Sequence, residues 1–217
     1  MKKSLLLFGA NSFVARSFID KYSDQYTIYP VYRRAGQGEL VMDFTTSAAI
    51  SGFHDKIPSR IDGVIFLQGI NPSMGCNDIT ESHFLDMLKV NLVTPALLIR
   101  ELQEILNDNC SIIFFSSISR KKGSYDPSYA SAKAGLFGLM QSLANAYSRL
   151  RFNMISLGLV ENSPVFTQMT GDFRERHASH MRNGEFVKAA NVCSVIDMLI
   201  TNDNINRADI NVDNGYA

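Results

Sequence analysis

Residues 5–15 read Leu-Leu-Leu-Phe-Gly-Ala-Asn-Ser-Phe-Val-Ala, an apolar run that ends at a glycine. Four consecutive apolar residues predict a short strand buried on both faces, because a strand with one exposed face alternates apolar and polar residues. Gly9 suits a tight turn, and the residues after it are predicted to open the first helix. The stretch therefore predicts a buried strand, a turn and a helix.

The same alternation of apolar runs and helical segments continues along the chain. Strands are predicted at residues 5–8, 27–31, 40–42, 63–67, 111–115, 153–157 and 209–212. Helices are predicted at residues 14–21, 82–106, 129–150 and 191–200. Between residues 42 and 63 there is little room for a full helix, so that crossover is expected to be trimmed.

Strands that alternate with helices predict right-handed crossovers and a doubly wound sheet. The fold class is therefore α/β: a Rossmann-type doubly wound parallel sheet of about seven strands with helices on both faces. A length of 217 residues suits one domain over residues 1–217. Ligands of such sheets bind at the carboxyl ends of the strands.

Composition excludes several classes of protein. The 21 Lys and Arg balance the 21 Asp and Glu, so the formal charge is zero and predicts neither a nucleic-acid nor an anionic-membrane partner. Cys76, Cys110 and Cys193 have no metal-ligand or redox-motif spacing, so no metal is expected. The apolar run at the start is short for a secretory signal, and a cytoplasmic location is expected.

The first turn follows a strand and opens a helix, which is the context of a dinucleotide pyrophosphate bound by backbone N–H groups. Gly9, Asn11, Ser12 and Phe13 are the candidate contacts. Ser12 is small enough for close backbone approach. The alternative is a plain strand-to-helix turn in which Gly9 supplies its φ angle.

Two arginines, Arg33 and Arg34, follow the second predicted strand. An acidic residue at this position would bind the 2′-hydroxyl of an adenosine ribose, whereas arginine accommodates a 2′-phosphate. No Asp or Glu lies between Gln25 and Gly38, which favours NADP over NAD. The alternative is a pair of solvated surface arginines.

Tyr129 and Lys133 are four residues apart on a predicted helix and so share one face. A nearby cation favours the phenolate and lowers the pKa of the phenol, which would make Tyr129 a usable proton donor or acceptor. Ser117 follows the fifth strand and can converge on the same crevice. Asn91 is an amide in an otherwise apolar helix and needs buried partners. Alternatively, Asn91 is a structural amide and Ser117 caps a turn.

Taken in order, these residues resemble the short-chain dehydrogenase/reductase family. The Tyr-x-x-x-Lys motif of that family corresponds to Tyr129 and Lys133, and its catalytic Ser and active-site Asn correspond to Ser117 and Asn91. The Asp that contacts adenine corresponds to Asp43.

Three further segments extend the resemblance over almost the whole chain. The Asn-Ala-Gly segment of the family reads Leu67-Gln68-Gly69, its Pro-Gly reads Leu157-Gly158, and its Val-Asp-Gly-Gly corresponds to residues 212–215. Phe13 falls where the extended branch of the family commonly has an aromatic residue.

The resemblance implies hydride transfer between a nicotinamide and a carbonyl or secondary alcohol. Tyr129 would be the general acid/base, Lys133 would lower its pKa and hold the ribose, Ser117 would bind the carbonyl oxygen, and Asn91 would hold a water of a proton relay. The cofactor, NADP in preference to NAD, would contact Gly9, Asn11, Ser12, Phe13, Arg33, Arg34, Asp43, Gly69, Tyr129 and Lys133.

Residues 159–190 would form a lid over the substrate. Arg174, Arg176, His177, His180 and Arg182 in this segment indicate an anionic carbonyl or alcohol substrate, or else a solvated amphipathic helix. By resemblance the protein would form a homodimer or homotetramer through the helix at 82–106 and the helix that begins at Tyr129.

Two other functions stay open at this point. One is a non-catalytic dinucleotide-binding regulator, which the glycine-poor first turn favours. The other is a sugar-nucleotide epimerase or reductase, which the similarity of the first turn to the extended branch favours.

Overall fold

The computed structural model describes residues 2–57 and 60–216, so the predicted domain of residues 1–217 includes positions 1, 58, 59 and 217 that lie outside the described residues. Seven parallel strands form one sheet in the order β3-β2-β1-β4-β5-β6-β7. They are β1 (Ser4–Phe8), β2 (Thr27–Tyr32), β3 (Leu40–Val41), β4 (Ile61–Phe66), β5 (Leu106–Ser117), β6 (Arg151–Leu157) and β7 (Asp209–Val212). The predicted sheet is confirmed.

Helices cover both faces of the sheet. They are α1 (Phe13–Tyr22), α2 (Glu81–Leu88), α3 (Thr94–Leu102), α4 (Ser119–Lys122), α5 (Pro127–Ala146), α6 (Pro164–Gln168), α7 (Gly171–Ala178) and α8 (Ala189–Thr201). Two short 3₁₀ turns, Ser47–Ala49 and His54–Lys56, replace a helix between β3 and β4. This agrees with the trimmed crossover that the sequence predicts.

The core consists of two apolar layers, one on each face of the sheet. One layer packs under α3 and α5, and the other under α1 and α8. In the first layer Phe8 stacks on Phe66 at 5.1 Å between ring centroids, and Phe66 stacks on Phe114 at 5.4 Å. These rings belong to paired positions of β1, β4 and β5. The aromatic ladder therefore holds the strand ends in register beside the first turn.

The predicted helix at 82–106 is interrupted. A π-helical turn, Lys89–Val93, separates α2 from α3 and contains Asn91. Pro95, near the start of α3, has no N–H to donate to the carbonyl of Asn91 four residues earlier, so a regular α-helical ladder cannot continue through this point. Single π turns of this kind are frequent at functional sites.

Other boundaries differ by a few residues from those predicted. Helix α5 begins at Pro127, before Tyr129, because the Asp126 side chain caps it. Strand β5 begins earlier than predicted, at Leu106, and bends where Asn109 has φ +63°. No helix in residues 2–57 and 60–216 is long and apolar enough to span a membrane.

Candidate active site

A cavity of about 360 Å³ opens at the carboxyl ends of β1 and β4. These strands are neighbours at the point where the strand order reverses, which is where doubly wound sheets bind ligands. Seven of the predicted cofactor contacts line the cavity: Gly9, Asn11, Ser12, Arg33, Arg34, Asp43 and Gly69. The structure thus brings together residues from four separate loops.

The first turn requires glycine at one position only. Gly9 has φ +80°, and a Cβ there would lie 2.5 Å from the backbone nitrogen of Gln68. Ser12 caps α1, and its Oγ accepts a hydrogen bond from the Ala15 N–H at 3.1 Å. Phe13 packs against the core layer under α1 and is not among the residues that line the cavity. The structure therefore gives no contact role to Phe13 in this cavity.

The other side of the cavity carries the charged residues. Arg33 and Arg34 are exposed there, and Asn11 donates a hydrogen bond to Gln37 at 2.8 Å. The pKa of Asp43 is lowered, first by the backbone N–H of Thr45 and then by its hydroxyl, with a smaller effect from Arg33. Asp43 is therefore an ionised acceptor at the rim.

Sequence reasoning did not include seven residues that line the cavity among the site residues: Gln37, Phe44, Thr45, Leu67, Gln68, Ile70 and Val90. Four of them directly follow or precede a predicted site residue in the sequence, namely Phe44 after Asp43, Gln68 and Ile70 on either side of Gly69, and Val90 before Asn91. Their position next to predicted site residues was the sequence signal that could have identified these four. Nothing in the sequence pattern singles out Gln37.

Two buried side-chain oxygen atoms in the described part of the chain have no hydrogen-bond partner: Oε1 of Gln68 and Oδ1 of Asn91. Gln68 lines the cavity, and Asn91 faces Gly69, where a Cβ would lie 2.9 Å from the Asn91 oxygen. Buried acceptors of this kind are normally satisfied. Together with the glycine turn and the exposed arginines, they suit a ligand that carries phosphate groups and hydroxyl donors, as a nicotinamide dinucleotide does.

Tyr129 lies in the first turn of α5 and is hydrogen-bonded to Ser117, at the end of β5. The Oγ of Ser117 also bonds to Ser119, accepting from its N–H at 3.1 Å. The structure therefore places Ser117 next to the Tyr129 phenol. The predicted direction of the pKa shift is wrong, because burial raises the pKa of Tyr129 and the Ser117 hydrogen bond opposes this only in part.

Lys133 is buried one helical turn beyond Tyr129. Its Nζ donates a hydrogen bond to the carbonyl of Phe115 at 2.8 Å and lies 5.8 Å from the centroid of the Tyr129 ring. Burial lowers the pKa of Lys133 to about 8, so the side chain is still mainly protonated at neutral pH. A Cβ at Gly69 would lie 3.5 Å from Nζ, which places the ammonium next to the cavity.

Asn91 is held in place by its own amide nitrogen. Its Nδ2 donates to the carbonyl oxygens of Ile70 and Met87, each at 3.1 Å. The carbonyl oxygen Oδ1 is thereby directed to the space beside Gly69 that Lys133 also borders. The structure thus brings Asn91 and Lys133 to the space beside Gly69 and places Tyr129, with Ser117 beside it, next to Lys133. None of these four residues is among those that line the cavity itself.

A buried carboxylate next to the site was not predicted. Asp126 is fully buried, and it caps α5 by accepting hydrogen bonds from the N–H groups of Ser128 and Tyr129. Its other oxygen accepts from the Nε2 of His83 at 2.7 Å. The pKa of Asp126 is lowered to about 2, because hydrogen bonds to the carboxylate, led by that of Ser128, outweigh the effect of burial. An Asp before a Pro at a helix start was the missed signal.

Residues 159–190 contain α6 and α7, and Val160 bridges to Val187 at their base. The guanidinium of Arg174 donates to the carbonyl oxygen of Met169 through both Nε and Nη2 and lies 5.0 Å from the centroid of the Phe166 ring. Arg174 therefore holds α6 against α7, whereas Arg176 is exposed. Neither belongs to the residues that line the cavity.

Comparison with known proteins identifies the class. A family model described as enoyl-(acyl carrier protein) reductase matches residues 18–217. The chain therefore belongs to the short-chain dehydrogenase/reductase family of oxidoreductases, whose members bind nicotinamide dinucleotides.

Two curated relatives are similar over part of their length. An acetoacetyl-CoA reductase from Synechocystis is 27% identical over 160 residues, which cover 71% of this chain and 66% of that protein. A sorbitol-6-phosphate 2-dehydrogenase from Escherichia coli is 32% identical over 127 residues, which cover 56% of this chain and 49% of that protein. The chain thus matches less than two thirds of the length of either relative.

Solved structures share the whole fold at low sequence identity. A short-chain dehydrogenase/reductase from Brucella melitensis has a TM-score of 0.89 at 16% identity and covers 100% of this chain and 99% of its own. A small-chain dehydrogenase in complex with NADPH has a TM-score of 0.86, and a 4-hydroxyisoleucine dehydrogenase complexed with NADH has one of 0.88. Each is 20% identical, and each alignment covers 100% of this chain and 99% of that structure.

Proposed function

We propose that this protein is an NADP-dependent carbonyl reductase or secondary-alcohol dehydrogenase with Tyr129 as the general acid/base. The observation that carries the proposal is the convergence of Ser117, Tyr129, Lys133 and Asn91 beside the cavity, near Gly69. A binding protein needs a cavity but has no need of a phenol, a hydroxyl and a buried ammonium beside it.

The cofactor, when bound, supplies or accepts the hydride at a carbon atom of the substrate. Gly9, Ser12, Arg33, Arg34 and Asp43 would hold its nucleotide portion, since they line the cavity. The protein would then have to donate or accept a proton at the substrate oxygen and stabilise the negative charge that develops there.

Tyr129 would supply that proton in the direction of reduction. Because burial raises the pKa of its phenol, the side chain carries its proton at neutral pH and is a donor in the resting protein. The Ser117 hydroxyl would bind and orient the carbonyl oxygen. The Lys133 ammonium would stabilise the phenolate that remains, and Asn91 would direct its free Oδ1 to the same space.

The preference for NADP rests on Arg33 and Arg34, which are exposed at the rim of the cavity, and on the absence of Asp and Glu from the sequence between Gln25 and Gly38. Guanidinium groups bind phosphate through charge-assisted hydrogen bonds. A 2′-phosphate would therefore gain contacts that a 2′-hydroxyl cannot make.

Replacing both Arg33 and Arg34 with alanine is expected to raise the Kd for NADPH about tenfold or more, because the loss of even one hydrogen bond to a charged group weakens binding by about 1.5 kcal/mol or more. The Kd for NADH is expected to change less than twofold. Titration followed by cofactor fluorescence measures both constants, with Arg100→Ala, an exposed arginine on α3, as the control. Equal losses for the two cofactors would contradict the preference, and no binding of either would refute the proposed function.

The substrate proposed is a small anionic carbonyl compound or alcohol. The curated relatives are named for acetoacetyl-CoA and sorbitol 6-phosphate, both of which are anionic. Arg176 and Arg182, in the segment proposed as a lid, are exposed and could meet such a charge.

We also propose a homodimer that pairs through α2, α3 and α5. Leu85 on α2, Val93 in the π-helical turn between α2 and α3, and Phe137 on α5 are large apolar side chains that are 55%, 42% and 43% exposed. Burying them would remove apolar area from water. Sedimentation equilibrium is expected to give twice the mass of the chain, and Phe137→Glu is expected to shift the mass toward the monomer; a monomeric wild-type protein would contradict the dimer.

The two alternatives make different predictions in the same assays. A non-catalytic regulator binds the dinucleotide but reduces no carbonyl in a substrate panel. A sugar-nucleotide epimerase retains its cofactor during turnover and releases no oxidised product.

A further inference from the structure

Asp126 connects the start of α5 to two segments that precede it by 43 residues or more in the sequence. Its Oδ1 accepts hydrogen bonds from the N–H of Ser128 at 2.9 Å and from the N–H of Tyr129 at 3.2 Å. Its Oδ2 accepts from the Nε2 of His83 at 2.7 Å and from the N–H of Met74 at 3.1 Å. One carboxylate thus links the loop before α2, helix α2 itself and the first turn of α5.

Both the side chain and the backbone of His83 are fixed in position by the surrounding structure. The side chain of His83 is only 8% exposed, and the backbone N–H of His83 is capped by the Thr80 hydroxyl at 3.2 Å. Because the pKa of Asp126 is about 2, the carboxylate is ionised near neutral pH and only accepts hydrogen bonds. The Nε2 of His83 therefore carries the hydrogen atom that joins the two side chains.

These hydrogen bonds constrain the backbone at Tyr129. The first turn of a helix is its least constrained part, because its N–H groups have no partner within the helix. Here the N–H of Tyr129 is held by Asp126, and Asp126 is held from the opposite side by His83. Proton transfer requires the phenol in a narrow range of positions, and misplacement by about 1 Å can reduce the rate about a hundredfold.

We propose that His83 and Asp126 are positioning residues that hold the backbone at Tyr129, so that α2 fixes the place of the proton donor. The proposal rests on the proposed function for its kinetic consequence, but its structural part stands on the geometry alone. Neither side chain lines the cavity described above, so their effect is exerted through Tyr129.

The test uses three substitutions of one residue. His83→Ala is expected to lower kcat about ten- to a hundredfold and to leave the Kd for NADPH within about twofold, because the nucleotide contacts are not altered. His83→Gln is expected to restore most of kcat, since its amide nitrogen lies at the same position along the side chain as Nε2 and donates to Asp126. His83→Asn, whose amide is one bond too short, is not expected to restore it.

A matched control is present in the same chain. His54 forms a similar pair with Glu101, with 2.8 Å between Nδ1 and Oε1. Neither residue lines the cavity or contacts α5 through this pair. His54→Ala is therefore expected to leave kcat unchanged. This control shows whether a loss of kcat is specific to the His83–Asp126 pair or follows the loss of any histidine–carboxylate pair.

Hydrogen exchange at the start of α5 provides a readout that needs no substrate. Peptides that contain Tyr129 are expected to exchange faster in His83→Ala than in the wild-type protein, and at the wild-type rate in His83→Gln and His54→Ala. If His83→Ala does not fold, kcat and hydrogen exchange are compared between His83→Gln and His83→Asn, and the proposal then requires values near wild type in the Gln variant only.

Unchanged exchange and unchanged kcat in His83→Ala, or equal values in the Gln and Asn variants, would overturn the proposal. If the wild-type protein turns over no carbonyl substrate, the proposed function fails, and exchange alone then decides whether His83 holds the start of α5.

Discussion

Replacing Tyr129 with phenylalanine is expected to lower kcat for carbonyl reduction about 10²- to 10⁴-fold, the usual contribution of a positioned proton donor. The ring is retained, so packing at the start of α5 changes little. The lost hydroxyl is the group that bonds to Ser117 and would protonate the substrate oxygen. The Kd for NADPH is expected to change only a few-fold, since most of the proposed nucleotide contacts are on other elements.

Steady-state kinetics with NADPH and a panel of carbonyl compounds measures this effect. Tyr125→Phe is the matched control, because Tyr125 lies four residues earlier and is 72% exposed, and its kcat is expected to stay at the wild-type value. Turnover that is equally fast in Tyr129→Phe would show that the proton comes from another group. Binding of NADPH without turnover in the wild-type protein would support the non-catalytic alternative.

Replacing Asp126 with asparagine is expected to lower the free energy of unfolding by about 2 kcal/mol or more at neutral pH. The carboxylate is buried and accepts from His83, Met74, Ser128 and Tyr129. An amide supplies one oxygen and one nitrogen, so its nitrogen would face at least one N–H donor that is left without a partner. A buried donor without a partner is costly, and no rotation of the amide removes this conflict.

The loss is expected to depend on pH. The pKa of Asp126 is about 2 in the folded protein, below the ordinary value of 3.8, so the charged form stabilises the fold. This stabilisation is fully present above about pH 4 and is lost as the pH falls through the folded value near 2, where both states are protonated. The shift corresponds to about 2 kcal/mol.

Urea unfolding of both proteins between pH 2 and pH 7 measures this dependence. The difference in free energy between the wild-type protein and Asp126→Asn is expected to be largest above pH 4 and to shrink toward pH 2. Asp108→Asn is the control, because the Asp108 side chain is 88% exposed, and it is expected to show no such trend. A difference that is constant over the whole range would contradict the role given to the charged form.

The chain order of strands and helices could be predicted from local pattern alone. Continuous apolar runs such as residues 5–8 are buried on both faces of a parallel sheet, and all seven predicted strands are present. Burial explains this success, since a strand covered by helices on both sides must be apolar throughout. Boundaries were less accurate where a single side chain decided them, as at Asp126 and Pro95.

The location of the site could be predicted for a related reason. Gly9 and Gly69 follow β1 and β4, Ser117 ends β5, and parallel strands bring their carboxyl ends to one edge. The four-residue spacing of Tyr129 and Lys133 places both on one face of α5. Order in the sequence therefore determined which residues meet at the cleft.

Only the tertiary structure decided how those residues are tuned and held. The pKa of Tyr129 is raised rather than lowered because burial outweighs its hydrogen bond to Ser117, and burial is a property of the packed chain. His83 and Asp126 are 43 residues apart, a distance at which no local pattern connects them. Local periodicity determines strands, helices and turns, whereas desolvation and long-range hydrogen bonds exist only once the helices have packed against the sheet.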